Sequence, residues 1–448
     1  SSGSGTGATF TVVVAADKSI TSVTLVNAGV GYADNDVITI DDSLLGGGGG
    51  PNVVVSVNGV TASTANAYTV TVADTSVAAS NLNTLNGKTT GLVTVTSSTL
   101  TGARTDINTA LGTATTEITG LAAIDVTQSD SSTVAQANTT AALTTGALTA
   151  TISDTDLATL GGINETGNVY TVTVADASID AATVNVLNNK TTGVVTLSAT
   201  AVTGALSDIK ALYDANTAGE VTGLGNETIT ISDTGSIGAA DLNDLNALTT
   251  GVVTVNNATV VTGSISEIIV SYSDSNVAGV ITGLSNEAIT VTDTGSVSAA
   301  DLNTVDGKTS GLVTADDVQT VTGTYLDIVA AYTANTNGTI AGLGNEAISV
   351  TDGHTITVAQ ANALDALTTG VVTAEISTND IDTLESLTGT GNAYTISVTD
   401  PSVSAAKLNA LDAKTTVSVD VSSTTVTGTL TAISTAFAAG GITGLGSE

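Results

Sequence analysis

Cysteine, methionine and tryptophan are absent from this chain of 448 residues, and phenylalanine (2), tyrosine (8), proline (2) and histidine (1) are scarce. Without cysteine there are no disulfides and no thiolate metal sites. With so few aromatics, the interior must be filled by Val, Ile, Leu, Ala and Thr methyl groups, which suits thin, regularly repeated layers. The same scarcity, with that of arginine, argues against a carbohydrate-active solenoid enzyme, whose groove needs aromatic platforms. Positive charge is also nearly missing: 8 Lys and Arg stand against 42 Asp and Glu, a net charge of −34. Such a surface repels nucleic acid and anionic lipid, which bind through basic side chains. Its acidity fits solubility in salty water, mutual repulsion of neighbouring copies or loose binding of divalent cations. Thr, Asn, Asp and Gly interrupt every apolar stretch, so no segment has the continuous run of a membrane helix. A chain without Cys or Met has little to lose to oxidation, in keeping with an extracellular protein.

What is present is repetition. ITISDTGSIGAADLNDLNALTTG from Ile229 returns as ITVTDTGSVSAADLNTVDGKTSG from Ile289 and as ISVTDGHTITVAQANALDALTTG from Ile348. One carboxylate marks each copy, at Asp74, Asp176, Asp233, Asp293, Asp352 and Asp400, with Gln128 in a degenerate copy, at intervals of about 48–60 residues. The units lie near 68–123, 124–169, 170–227, 228–288, 289–347, 348–393 and 394–448. The short units from Ile152 and Ile376 match in detail at an offset of 224 residues, the offset of Tyr394 from Tyr170. A block of several units has therefore been duplicated, a change tolerated where each unit touches only its neighbours.

Within a long unit, Ile289-Thr290-Val291-Thr292-Asp293 alternates as a strand does. Ser298 to Val305 reads as a short helix opened by a capping box of Ser298 and Asp301, and the related copy offers Leu242, Leu245 and Leu248 to the core. A Thr-Thr-Gly such as Thr249-Thr250-Gly251 ends that helix, on the expectation that its glycine turns left-handed. A strand pair follows, then a second helix opened at Ser264/Glu267 or Thr324/Asp327, and a Gly-Leu-Gly-Asn-Glu turn at Gly223 to Glu227 or Gly342 to Glu346 returns the chain to the next first strand. Strands alternating with short helices predict parallel pairing between equivalent strands. The expected fold is an α/β repeat solenoid over residues 68–448; an all-β solenoid is the alternative if the Asn-rich helices are tight loops. Residues 1–60 differ. Four alternating stretches, ending near Val14, Val26, Ile40 and Val57, with a glycine loop at 46–50, predict a small all-β module joined by a linker at 61–67. The chain opens without methionine and stops inside a motif that elsewhere leads into another unit, so it reads as a window cut from a longer protein.

No motif spells out catalysis. His354 replaces a Gly or Ser of sibling turns and has no implied nucleophile nearby, and sibling units do without it. Glycine-rich turns such as GLGNE neither open a helix nor neighbour a lysine, as a phosphate cradle would require. Lys88, Lys190, Lys308 and Lys414 recur just before the Thr-Thr turn, where they can cap the short helix. The carboxylates Asp74, Asp176, Asp233, Asp293, Asp352 and Asp400, and the cluster Asp34, Asp36, Asp41 and Asp42, are candidate ligands for Ca2+, or else serve turns and helix starts. No DxDxDG loop accompanies them, and no other cofactor is implied.

The motifs ITVTDTGSVSAADLN, ALTTGVVT, TVTGT and GLGNEA, spread over residues 68–448, resemble the repeats of giant cell-surface proteins of marine cyanobacteria, of the type linked to non-flagellar swimming. GSGTGATFTVVV and ITSVTLVNAGVGYADNDVITI resemble a small β module of cyanophage virion and tail-fibre proteins and of cyanobacterial surface proteins. The resemblance carries no catalytic residues. It implies an extracellular or cell-surface protein, structural or adhesive, whose partners are further copies, other surface components, or a carbohydrate or host-surface receptor. A phage tail-fibre or virion appendage is the alternative it leaves open.

Overall fold

The structure is a computed structural model and describes residues 5–46, 51–58, 67–114, 116–273, 280–351, 353 and 355–446. The chain divides into two compact units, Ser1–Val126 with Leu143–Gly146, and Thr127–Ala142 with Ala147–Glu448. Most of the glycine loop and the linker expected at 61–67 lie outside the described residues.

In the first unit, Thr9–Val14 pairs antiparallel with Ile20–Asn27, and Val37–Ile40 with Val53–Ser56. A one-turn 3-10 helix, Asp42–Leu45, sits between the latter two. Their side chains are mostly exposed or half-buried, and an open apolar groove of about 1040 Å³ runs past Phe10, Leu25, Tyr32, Ile38 and Val55. Beyond them all pairing is parallel. Val70–Val72, Val93–Val95 and Ile118–Thr119 form one sheet, and Ser76–Ala78 pairs with Thr99–Gly102.

In the second unit, parallel sheets alternate with short helices, an α/β fold. The AADLN segments are α-helices, Ala239–Leu248 and Ala299–Asp306 among them, so the all-β alternative fails. Three five-stranded sheets share one composition. The first runs Ser178–Asp180, Ala201–Gly204, Thr228–Ile231, Val253–Val255, Ile281–Thr282. The second starts at Ser236–Gly238 and the third at Ser296–Ser298. The first two sheets each take strands from two successive units, and the third runs on to Ala393–Thr395, where a further unit begins, so neighbouring sheets are offset by one unit. Ser-Val-Ser strands such as Ser296–Ser298 escaped the alternation test because a single apolar residue, Val297, carries their inward face.

The strands form because Ile and Val alternate with Thr: Ile229, Ile289 and Ile348 are fully buried while Thr228 and Thr230 point to solvent. Burying each such Ile contributes roughly 1.5–3 kcal/mol before chain entropy is counted. Leu242 and Leu245 pack inward as expected, but Leu248, the last residue of its helix, is 42% exposed. Ser264 and Glu267 make the full reciprocal capping box. At Ser298 and Thr324 only the forward half forms, with the cap oxygen accepting from the backbone N–H of Asp301 or Asp327. Aspartate is one methylene too short to reach back, and Asp327 instead accepts from the Thr324 hydroxyl at 2.7 Å.

The Thr-Thr-Gly corner works differently from the expected left-handed stop. Gly251 is not left-handed; a Cβ there would lie 1.9 Å from the Glu227 carbonyl oxygen, so glycine is required by close backbone approach. Thr249 fixes this approach, its hydroxyl donating to Glu227 O at 3.1 Å and accepting from Gly251 N at 3.0 Å. The corner at Val417 takes a side chain, its N–H standing 3.2 Å from the Thr415 hydroxyl.

Asparagine, a weak helix former, is explained by a second contact. Asn243 Nδ2 donates to the Glu267 carbonyl and Asn303 Nδ2 to the Asp327 carbonyl, both at 2.9 Å and both 24 residues on, in the first turn of the next helix. Asn83, Asn185 and Asn409 do the same across 23 or 24 residues, and Asn138 and Asn362 reach carbonyls 24 residues on, at Gly162 and Ser386, just past the one-turn helices Leu157–Leu160 and Ile381–Leu384. Replacing Asn303 by alanine is expected to cost about 1–2 kcal/mol, and Asn303→Asp more, because a carboxylate would face the carbonyl oxygen. Urea titration of the two variants checks the order; equal losses would show that the contact is not this hydrogen bond.

Candidate functional site

The positions where strand ends meet helix starts gather most of the polar side chains singled out above. Each helix exposes unpaired N–H groups and a partial positive charge at its start. The unit-marking aspartates supply the missing acceptors. Asp176 Oδ2 accepts from Leu157 N at 2.8 Å, Asp233 from Leu206 N at 2.7 Å, Asp293 from Ile265 N at 2.8 Å and Asp400 from Ile381 N at 2.9 Å. Each donor is the first residue of a helix 19 to 28 residues earlier, so the carboxylate bonds a helix that precedes it in the chain. Asp154, which no repeat marker picked out, does the same for Val134 at 2.8 Å. Gln128, at the degenerate marker, instead donates to the Ser132 hydroxyl at 2.7 Å.

Asp74 borders a hollow of about 300 Å³ beside Val72, Asn81 and Leu85. Asp352 and the single histidine, His354, lie outside the described residues. The N-terminal acidic cluster is spread over separate turns. Asp36 accepts from Ala33 N at 2.9 Å. Asp41 accepts from both the amide and the hydroxyl of Ser43, which hold its carboxyl below the usual range, the hydroxyl more strongly. Asp42 donates its own N–H to Asn52. Among the described residues no group of three or more His, Asp or Glu side chains is arranged to hold a metal ion. Calcium would have to compete with a helix start at Asp176, Asp233, Asp293 and Asp400. Asp233→Ala is expected to cost about 1–2 kcal/mol. Millimolar Ca2+ should leave the melting midpoint of the unsubstituted chain where it was; an upward shift would restore these carboxylates as ligands.

Three carboxylates are buried in these turns, of which the sequence marks Glu227 and Glu346 only as turn residues and does not single out Glu287. Glu227 is wholly buried, and Glu287 and Glu346 nearly so. Glu227 Oε2 accepts from Gly225 N at 2.8 Å, Asn226 N at 3.2 Å and the Tyr213 hydroxyl at 2.8 Å. Glu287 accepts from Ser285 N, Asn286 N and the Tyr272 hydroxyl, and Glu346 from Gly344 N, Asn345 N and the Tyr332 hydroxyl. Burial, and then the neighbouring glutamate, pushes all three phenols well above their ordinary value. The signal that could have found these pairs is a tyrosine 14 or 15 residues before the glutamate in three successive long helices.

No protein-family model, curated protein or solved structure matches the chain. What the site can do therefore rests on its own atoms. Lysines add little chemistry. The four helix-end lysines close their helices with backbone N–H groups, Lys190 N donating to Leu187 O at 3.0 Å, while the Lys190 ammonium reaches the Gly161 carbonyl at 2.7 Å. Lys210 bridges Asp241 and Asp244, and Lys407 bridges Asp382 and Glu385, joining successive helices on the surface and raising both ammonium pKa values. Exposed pairs of this kind add little to stability because solvent and salt screen them. Asp176, Asp233, Asp293 and Asp400, and the three tyrosine–glutamate pairs, thus join one stretch of chain to another. No helix among the described residues is long and apolar enough to cross a membrane.

Proposed function

We propose that the chain is a non-catalytic structural or adhesive segment of a secreted, repetitive cell-surface or extracellular filament protein, built as an α/β solenoid whose coils stack additively. The observation that carries this reading is the asparagine ladder: seven times, an asparagine side chain of one helix is bonded to a backbone carbonyl 23 or 24 residues on, five times in the first turn of the next helix and twice just past a one-turn helix. Machinery spent on joining identical coils serves reach and stiffness rather than turnover, and per-coil stability in such arrays is set by neighbour contacts. The −34 charge keeps neighbouring copies apart laterally and leaves coil-to-coil contact as the route to end-to-end association. The strand-end aspartates support the reading by acting on helix starts.

Small-angle scattering of the full chain tests it. An elongated particle, longer than a sphere of this mass by several-fold, is expected; a compact globule would overturn the proposal. Mass photometry separates the virion alternative, since a stable trimer favours a fibre appendage and a single chain favours a surface protein.

A further inference from the structure

The tyrosine–glutamate pairs have a counterpart elsewhere in the chain that contains neither residue. In the helix Arg104–Gly112, Ile107 stands where Ile209 and Ile328 stand in later long helices, and Leu111 therefore occupies the tyrosine's place. In the turn that follows, Ile124 occupies the glutamate's place: Thr144 donates its hydroxyl to the Ile124 carbonyl at 2.8 Å, as Thr249 does to Glu227, Thr309 to Glu287 and Thr368 to Glu346. Leu111 is 4% exposed and Ile124 3%, so both positions are as buried as the polar pairs. Where both positions are buried they have changed together. A tyrosine helix is followed by glutamate three times, and the leucine helix by isoleucine. A fifth helix, Leu430–Ala438, places Phe437 here, but Phe437 is 50% exposed, and the sequence follows it with Glu448 in the glutamate's place, so the coupling belongs to the buried junctions.

We propose that these two positions, where both are buried, form a compatibility determinant for successive repeats: a helix bearing a phenol requires the glutamate turn after it, an apolar helix requires an apolar turn, and a buried mixed combination is destabilised. The physical reason is the cost of mismatch. Glutamate without the phenol leaves a buried carboxylate one donor short, and tyrosine without the glutamate leaves a buried hydroxyl with no acceptor. Replacing both partners by apolar groups removes the demand altogether, and for buried polar pairs such double replacement is frequently neutral or stabilising. Of the four described junctions of this kind in the long units, three nonetheless keep the polar pair, as expected if it rejects the wrong neighbour; the corners after the one-turn helices hold Tyr170 and Tyr394 in the glutamate's place instead. The pairing rule holds wherever the protein resides.

The experiment uses the full chain with Tyr213→Leu, Glu227→Ile, the double variant, and Tyr213→Phe as the mildest break. Each single change is expected to lower the melting midpoint by roughly 3–8 °C. The double variant should recover most of that loss. Amide exchange at Gly225 and Asn226, whose N–H groups the glutamate holds, should quicken in Glu227→Ile and stay quick in the double variant although its midpoint has recovered. That split separates compatibility from simple tightening of the turn. If the two single losses merely add in the double variant, the proposal falls. Should a single variant fail to fold, Tyr213→Phe takes its place: faster exchange at the same two amides supports the pair, and unchanged exchange there counts against it.

Discussion

Gly223→Ala is expected to lower stability by about 3 kcal/mol or more, whereas Gly235→Ala should be neutral or slightly stabilising. Gly223 lies directly after the short strand Val221–Thr222, with φ at 99°, and a Cβ there would stand 2.1 Å from the Leu197 carbonyl oxygen. Two costs add. An L-residue in the left-handed region loses roughly 1–2 kcal/mol, and forcing a methyl into packed backbone costs typically 1–3 more. Sheet partners cannot drift apart to relieve the clash, because Val195 with Val221 and Thr196 with Thr222 are held in register immediately before it. Gly120, Gly283 and Gly444 repeat the geometry, each left-handed and each with a would-be Cβ about 2 Å from a carbonyl oxygen of the preceding strand. Gly235 has open space around it and no left-handed φ, so alanine there only narrows the unfolded ensemble, an effect of about 0.4–1 kcal/mol in the stabilising direction. Thermal melts of the two variants decide the matter, and equal midpoints would show that the corner is softer than this geometry requires.

Alkali should unfold the second unit far more sharply than acid-base titration of exposed tyrosines would suggest. Five phenols, Tyr170, Tyr213, Tyr272, Tyr332 and Tyr394, are raised by burial, with nearby carboxylates adding to the shift. Tyr170 is pushed up to about 12 from 10.0. Raised values mean that the folded state holds these protons more tightly than the unfolded chain. Their contribution to stability is therefore complete below pH 10 and lost as the pH climbs through the folded values. At 1.36 kcal/mol per pH unit, Tyr170 alone withdraws about 2 kcal/mol by pH 12, and the other four act in the same direction. Phenolate absorbance followed alongside circular dichroism should show these five ionising together with unfolding. A gradual titration with secondary structure intact to pH 12 would contradict it. Tyr170→Phe makes a useful partner: its hydroxyl is buried without a hydrogen-bond partner, so the variant should be more stable at pH 7 and lose less at pH 11.

Much of the α/β character was legible because it rests on local patterns. Alternating Ile and Thr announced the strands from Thr228 and Ala288, and Ala, Leu and a cap oxygen announced the helix Ala299–Asp306. The 224-residue duplication is legible in geometry as well as in letters: Leu148 N donates to the Asn168 side chain at 2.7 Å and Val372 N to that of Asn392 at 2.8 Å. What stayed hidden is which groups meet across successive stretches of chain. Asn243 looked like a liability in a helix, Glu227 like a turn residue and Gly251 like a helix stop, because periodicity reports the face a residue occupies and is silent about the neighbour facing it. The strand-end aspartates sat between these extremes. Their recurrence was plain and helix starts were among the partners expected, yet the helix each one serves lies behind it in the chain.

The asparagine contact also bears on how the protein is made. Every rung joins residues only 23 or 24 apart, whatever the total length of the chain. Closing a loop of that size is entropically modest, and doubling it would add only about 0.6 kcal/mol. Topologies dominated by such near contacts fold quickly for their size. A nascent or translocating chain need not wait for its far end: once Asp327 has emerged, the helix holding Asn303 has its partner, and folding can follow synthesis one rung at a time.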